Sequence, residues 1–240
     1  MVPRPMPHCP SPQPLPAVHG QRRTRPGGFT LIELLVAISV MALIAILSWR
    51  GIDGMLRTQE ATRQRADDML VLQAALGQWG ADLDALTPIA NTTPLDWDGQ
   101  VLRLTRRSAA VIDEGPVVVA WTRRETNAGA QWMRWQSPPL RTRGQWQEAW
   151  AQAAQWARTP GEADRPREVA LIPIDGWQLF YFRGGAWSNA LSSAGTNQEA
   201  NGSNAIPEGI RLNITLSPGG PLTGLLVRDW VNPVRTGSRT

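Results

Sequence analysis

From Phe29 to Trp49 the chain reads FTLIELLVAISVMALIAILSW, 21 residues with a single charge, Glu33, closed by Arg50. At 1.5 Å rise per residue a helix of that length reaches roughly 31 Å, the hydrocarbon thickness of a bilayer. Gly51 and Gly54 follow; each costs up to about 1 kcal/mol relative to alanine in a helix and can allow a bend. Beyond them the pattern turns amphipathic. Met69, Leu72, Leu76, Trp79, Leu83 and Leu86 recur at spacings of 3, 4, 3, 4 and 3, one apolar seam on a helix. Only about three heptads are present, so the seam is read as a core face rather than a coiled coil. Thr87-Pro88 is the stop signal. The pattern predicts a nearly continuous helix from about Phe29 to Leu86, on the order of 85 Å long, its first half in lipid and its second half packed.

After Pro94 the texture changes to short runs separated by Gly, Pro and Asn. Strands are predicted at Gln100–Arg106, Pro116–Arg123, Ala130–Gln136, Glu168–Ile174, Trp177–Arg183, Glu208–Leu216 and Pro221–Trp230. Gln145–Trp156 carries Trp146, Trp150 and Ala153 at i, i+4 and i+7 and predicts a short helix. Ser188–Asn204 is small and polar, the composition of a mobile loop. A long N-terminal helix on an antiparallel sheet is an α+β layer arrangement.

Composition narrows the chemistry. The chain has 24 cationic side chains, all arginine, against 20 acids. Residues 1–28 hold four arginines (Arg4, Arg22, Arg23, Arg25) and no acid, so the formal +4 lies there and the rest is neutral. A basic total of this origin is no nucleic-acid signature. Both histidines (His8, His19) and the only cysteine (Cys9) also fall in those 28 residues. The remainder therefore lacks Ser-His-Asp or Cys-His catalysis, His or Cys metal sites and disulfides. The same 28 residues contain eight prolines and three glycines and no stretch able to bury a face, so they are expected to stay outside any fold.

A cleavable secretory signal has an apolar stretch of about 7–15 residues and a small-x-small site. Here the run is longer and is followed by Ser48-Trp49-Arg50-Gly51. A plain signal anchor explains the length and, by the positive-inside rule, places the arginines in the cytoplasm; it leaves Glu33 unexplained. A carboxylate at that depth is costly, and such residues are functional by default. Gly28-Phe29-Thr30-Leu31-Ile32-Glu33 resembles the processing motif of type IV prepilins and of the pseudopilins of type II secretion systems. The resemblance implies that a prepilin peptidase cuts between Gly28 and Phe29 on the cytoplasmic side and methylates Phe29. It further implies that Glu33 pairs with the new α-ammonium of a neighbouring subunit when helices stagger in a filament, two opposite charges being tolerable in oil where one is not. Arg22, Arg23 and Arg25 would hold the leader in the cytoplasm.

Within that superfamily the chain most resembles the minor pseudopilins of the J type. The features are Arg50-Gly51-Ile52-Asp53 after the membrane run, the aromatic stretch Gly176-Trp177-Gln178-Leu179-Phe180-Tyr181, and two late apolar strands with a Pro-Gly turn between them. The resemblance implies the pseudopilin fold and four segments: a leader 1–28, a membrane and assembly helix 29–49, a periplasmic amphipathic helix 50–86 and a periplasmic β-rich domain 87–240. It implies a non-enzymatic, cofactor-free, single-pass inner-membrane subunit. The expected partners are the minor pseudopilins I and K in a tip complex built partly on Met69–Leu86, the major pseudopilin, the peptidase, the inner-membrane assembly platform and the bilayer. The alternatives are a type IV minor pilin of a surface fibre or DNA-uptake machine, and a membrane-anchored periplasmic binding or catalytic domain.

Other constellations read as ordinary structure. Asp96-Trp97-Asp98-Gly99 begins like a calcium loop but has no glutamate at the twelfth position, so a solvated turn before a strand is expected. Asp67-Asp68 and Asp82/Asp84 are expected on the wet face of the helix, and Asp113-Glu114 in a turn. Gln100 to Arg143 holds eight arginines against three acids, interleaved with Trp121, Trp132 and Trp135. That spacing can serve stacking on single-stranded nucleic acid, but arginine is the only cation this chain uses and tryptophans in strands are usually core, so a mixed, solvated sheet face is expected, and no nucleic-acid partner.

Overall fold

The computed structural model describes residues 27–108, 115–192, 206–218, 220 and 222–236. The chain divides into two units, Met1–Leu56 and Arg57–Thr240, with the boundary inside the first helix. That helix, α1, runs Leu31–Asp84 and is helical through both Gly51 and Gly54. Its start is set by Thr30, whose hydroxyl accepts the Glu33 N–H at 3.3 Å while its carbonyl accepts Leu34 N–H at 3.2 Å. It ends two residues before the expected Leu86, because Leu86 instead forms an antiparallel bridge with Arg106 of the sheet.

Eight strands follow in a single antiparallel sheet: β1 (Leu95–Trp97), β2 (Val101–Arg107), β3 (Pro116–Thr126), β4 (Gly129–Gln136), β5 (Glu168–Arg183), β6 (Ala186–Asn189), β7 (Gly209–Leu216) and β8 (Gly224–Val231). The order is β1-β2-β3-β4-β5-β7-β8, with β6 paired to β5. The α+β expectation of a long N-terminal helix followed by an antiparallel sheet is the arrangement observed. The two strands expected at Glu168–Ile174 and Trp177–Arg183 are one, β5, with a register shift between Ile174 and Gly176. This long strand pairs with β4 through its first half and with β7 through its second. A shift of that kind bends a strand without ending it. Two short strands, β1 and β6, were not expected. β6 takes Ser188 and Asn189 out of the predicted polar loop; the rest of that loop from 193 onward lies outside the described residues, as do Asp113-Glu114 and Gly219 of the Pro-Gly turn. The β5–β6 turn is Gly184-Gly185 with φ of +58° and +85°; two successive positive φ angles define the tight hairpin turn that only residues such as glycine adopt freely.

Within Arg57–Thr240 one face of the sheet is covered by α1 and the β2–β4 part of the other by a second helix, while outward side chains of β8 such as Leu225, Val227 and Val231 are exposed. On one face α1 contributes Leu72, Ala75, Trp79 and Leu83 to a core with Leu102, Leu104, Trp121, Trp132, Leu179, Ile210, Leu212 and Ile214. On the other lies α2 (Arg143–Arg158), longer than the expected Gln145–Trp156 by a turn's worth of capping. Thr142 accepts Gln145 N–H and the Gln145 side chain reaches back to Thr142 N–H, a reciprocal cap. Trp146, Ala149, Ala153 and Trp156 of α2 pack on Val118, Ala120, Met133 and Trp135.

The decisive interaction lies at the end of α1. Asp82, expected on the wet face, is fully buried. Its Oδ1 accepts from Arg106 Nη1 at 2.6 Å, Arg134 Nη2 at 2.9 Å and Gln78 Nε2 at 2.9 Å. Its Oδ2 accepts from Arg134 Nε at 2.7 Å and Trp121 Nε1 at 2.9 Å. One carboxylate thus ties α1 to β2, β3 and β4. The expectation failed because Asp82 continues the stripe Leu72, Ala75, Trp79, Leu86, so helical spacing itself turns it inward. Asp84 is exposed but not idle: it accepts the indole N–H of Trp230 at 2.8 Å.

Burying an ion pair is tolerated only while every partner is present; removing one strands the rest, at about 3–5 kcal/mol. Asp82→Ala should therefore cost about 3–5 kcal/mol in denaturant unfolding followed by tryptophan fluorescence. Asp67→Ala, on the exposed side of the same helix, should stay within about 0.5 kcal/mol of the parent.

Candidate assembly site

Gly28-Phe29-Thr30-Leu31-Ile32-Glu33 occupies the start of α1. Gly27, Gly28, Phe29 and Thr30 are non-helical and exposed, and helix begins at Leu31. The Gly28–Phe29 bond therefore lies in open backbone, two residues ahead of the first helical one. A Cβ built on Gly27 or Gly28 meets nothing within 4 Å among the described residues.

Thr30 is the cap the sequence reading missed. Thr30-Leu31-Ile32-Glu33 has the spacing of a capping box, Thr at the cap and Glu three residues on. The threonine half forms, with the hydroxyl on Glu33 N–H. Glu33 sits in the first turn, where the unpaired N–H groups give the helix its positive end and favour an anion. Its carboxylate is exposed and is the only charge between Phe29 and Trp49.

Around it the surface is apolar on every side. Phe29 and Leu31 are each 83% exposed, and Ile32, Leu35, Met41, Leu47 and Trp49 all present their side chains outward. The helix is long and apolar enough to cross a membrane, and none of its apolar window is buried. A stretch this apolar and this bare calls for lipid or for other apolar helices as its surroundings.

Other residues singled out from sequence fall in different settings. Arg22, Arg23 and Arg25 lie outside the described residues. Along α1, Leu72, Trp79 and Leu83 are buried in the sheet core, while Met69, Leu76 and Leu86 are half-buried at its margin. That face is occupied by the chain's own sheet. The stretch from Arg57 to Asp67 is exposed throughout, so the amphipathic pattern begins to bury residues only at Asp68.

The arginine and tryptophan segment is mixed, with Arg107, Arg141 and Arg143 exposed and its strand tryptophans in the core. Trp121, Trp132 and Trp135 are fully buried, which removes them as platforms for stacked bases. The indole N–H groups of Trp121 and Trp135 are used internally, each shared with a guanidinium or amide on one carboxylate, while that of Trp132 has no hydrogen-bond partner among the described residues. Trp135 donates to Asp164 at 3.2 Å beside Gln152 at 2.9 Å. Trp156 and Arg124 each donate to Glu168 Oε2 at 2.6 Å. Arg103 pairs with Asp96 and lies over Trp150. Buried Tyr181 has its phenol raised well above its ordinary value by desolvation. Asp98 caps its own turn, accepting from Gln100 N and Val101 N at 2.9 and 2.8 Å, as a turn before a strand should. Among the described residues no group of three or more His, Cys, Asp or Glu is placed to hold a metal ion.

One comparison with known proteins falls on the same N-terminal residues, and others span most of the chain. The prokaryotic N-terminal methylation motif matches residues 23–49. Over most of its length the chain is similar to two proteins named type II secretion system protein J. The one from Klebsiella pneumoniae is 22% identical over 205 residues, covering 85% of this chain and 95% of the relative. The one from Escherichia coli is 25% identical over 217 residues, covering 88% and 97%. Among solved structures, the complex of GspK, GspI and GspJ from the type 2 secretion system of enterotoxigenic Escherichia coli contains a chain 14% identical to this one. The match covers 68% of this chain and 96% of that one, with a TM-score of 0.45. The resemblance to prepilin-type proteins, and to the J type among them, is thus borne out by the motif and by both relatives.

Thr30→Val keeps the shape of the side chain and removes the cap, a loss of typically about 1 kcal/mol. The expected result is faster amide hydrogen exchange at Glu33, by roughly fivefold, with amides of the Arg57–Thr240 unit unchanged. Thr30→Ser should restore the parent rate.

Proposed function

We propose that the chain is a minor pseudopilin of the J type, a subunit of the pseudopilus of a type II secretion system. The observation that carries this is the motif at α1's start: an open Gly28–Phe29 bond, a cap at Thr30, and a lone exposed carboxylate at Glu33 inside a bare apolar helix. The full-length similarity to proteins named type II secretion system protein J favours secretion over a surface fibre.

In this reading a prepilin peptidase cuts after Gly28 and methylates Phe29, with Arg22, Arg23 and Arg25 held in the cytoplasm and the β-rich domain in the periplasm. Cleavage places an α-ammonium two residues before the first helical one. A cation there is opposed by the positive end of the helix and, in hydrocarbon, by the loss of water. Glu33 of a staggered neighbour neutralises it, and two charges that are separately costly become one tolerable pair. The apolar surface from Leu31 to Trp49 then exchanges lipid for other subunits' helices. The partners are the minor pseudopilins I and K at a tip, the major pseudopilin below them, and the assembly platform. The contribution is structural: the mature chain brings charge neutralisation and an apolar rod, not a reaction.

The test is genetic and biochemical. In the source organism, deletion of this gene should abolish type II secretion, and the parent gene should restore it. Glu33→Ala should accumulate in membranes at the processed size yet fail to restore secretion or to co-purify with the I- and K-type subunits. Secretion that continues without the gene would overturn the assignment, and full rescue by Glu33→Ala would overturn the pairing role.

A further inference from the structure

The two edges of the sheet are unlike. β1 closes one edge with only three residues, and a strand that short offers little to pair with. β8 closes the other with eight, holds one register along β7 and contains no proline. Asn232 N–H donates to the Glu208 carbonyl at 2.9 Å, one step beyond the Val231 and Gly209 partners, so the even-numbered residues of β8 bond to β7. Strand alternation then turns the N–H and C=O groups of Leu225, Val227, Asp229 and Val231 to the free edge, where no strand meets them among the described residues. Their side chains leave the core too: Leu225 is 66%, Val227 50% and Val231 64% exposed, whereas Leu226 and Trp230 pack on the α1 side. Asp229 is neutralised within the sheet by Arg211, at 2.7 Å to both oxygens. Arg228 is exposed and has no acid partner among the described residues. An ordered row of unpaired backbone donors and acceptors is matched by one kind of protein segment, another extended strand.

We propose that β8 takes up an extended segment of a neighbouring, different pseudopilin as an added edge strand. The backbone groups of Leu225, Val227, Asp229 and Val231 bond to it; its apolar side chains lie beside Leu225, Val227 and Val231, and a carboxylate lies beside Arg228. Charge selects this occupant over a second copy. Two β8 strands paired antiparallel about a two-fold axis put Arg228 opposite Arg228 or Leu226 in their registers of fullest overlap, so a copy supplies no acid there, and like charges opposed across strands are destabilising. Strand addition moves the contact of the β-rich domain from the α1 seam, which the chain's own sheet covers, to the β8 edge. The inference rests on the pseudopilin reading for the identity of the neighbour, and adds which edge meets it and that backbone hydrogen bonds carry the contact.

Amide hydrogen exchange of the full-length chain in detergent, alone and co-purified with the I- and K-type minor pseudopilins of the same organism, tests it. Alone, the amides of Leu226, Arg228 and Trp230 should exchange slowly and those of Leu225, Val227, Asp229 and Val231 fast. In the complex the second set should slow roughly tenfold or more. Val227→Pro removes a donor from the free edge only, so tryptophan fluorescence of the folded unit should stay unchanged while recovery of the partner falls roughly fivefold or more. Arg228→Glu should also lower recovery, and changing the partner's opposing acid to Arg should restore it. The exchange measurement needs no variant, so it decides the matter even where the proline unsettles β8. Three results overturn the edge proposal: the four amides already slow in the free chain, protection that rises with concentration of the chain alone, or a complex in which they stay fast. A complex with fast edge amides leaves the pseudopilin reading standing; no complex with either partner type removes both.

Discussion

One buried carboxylate holds the Arg57–Thr240 unit together. Asp82 takes five hydrogen bonds from four side chains on α1, β2, β3 and β4, and every one of those donors would be expensive to leave in the core alone. An anion without water is worth several kcal/mol of penalty; two guanidiniums, an indole and an amide replace that water here. The consequence is geometric. Arg134 grips both oxygens, so the end of α1 is fixed in rotation and in register against the sheet, in a way apolar packing of Leu72, Trp79 and Leu83 alone would not impose.

The same logic recurs at Trp156, Trp135 and Trp230, though not at Trp79 and Trp132, whose buried indole N–H groups have no partner among the described residues. Glu168 receives Trp156 and Arg124, Asp164 receives Trp135 and Gln152, and Asp84 receives Trp230. Arginine suits this role because its planar fork satisfies a carboxylate while its face rests on an aromatic ring, as Arg124 does on Trp156 and Arg134 on Trp121. The charges of this unit are thus spent largely on its own structure. The Met1–Leu56 unit is the opposite case: its described helical residues bury nothing, and its apolar surface is available to lipid and to other helices.

The sequence made some of this plain and hid the rest for identifiable reasons. The apolar run, the seam from Leu72 to Leu83 and most of the strands were legible because period and turn residues mark them. Glu33 was legible because a lone charge in such a run is conspicuous. Thr30-x-x-Glu33 is a capping signature, and Glu33 is at once the lone ion of the apolar run and the third residue of the helix, so its charge masks the cap. For Asp82 two signals conflict, the surface preference of a carboxylate and its position on the Leu72, Ala75, Trp79 stripe, and the helical spacing is the one that decides. β6 was missed although Gly184-Gly185 announces a hairpin. The partners of Asp82 were beyond reach from one chain: Arg106, Trp121 and Arg134 meet only after three strands have paired.

Whether this molecule works by stacking its N-terminal helix among others turns on where the mature polypeptide starts. Intact mass and N-terminal sequencing of the protein isolated from its own membranes settle that. A chain that begins at Phe29 and carries one added methyl group there is the predicted result. A chain that still holds residues 1–28, or one cut beyond Trp49 so that Glu33 is gone, would contradict it.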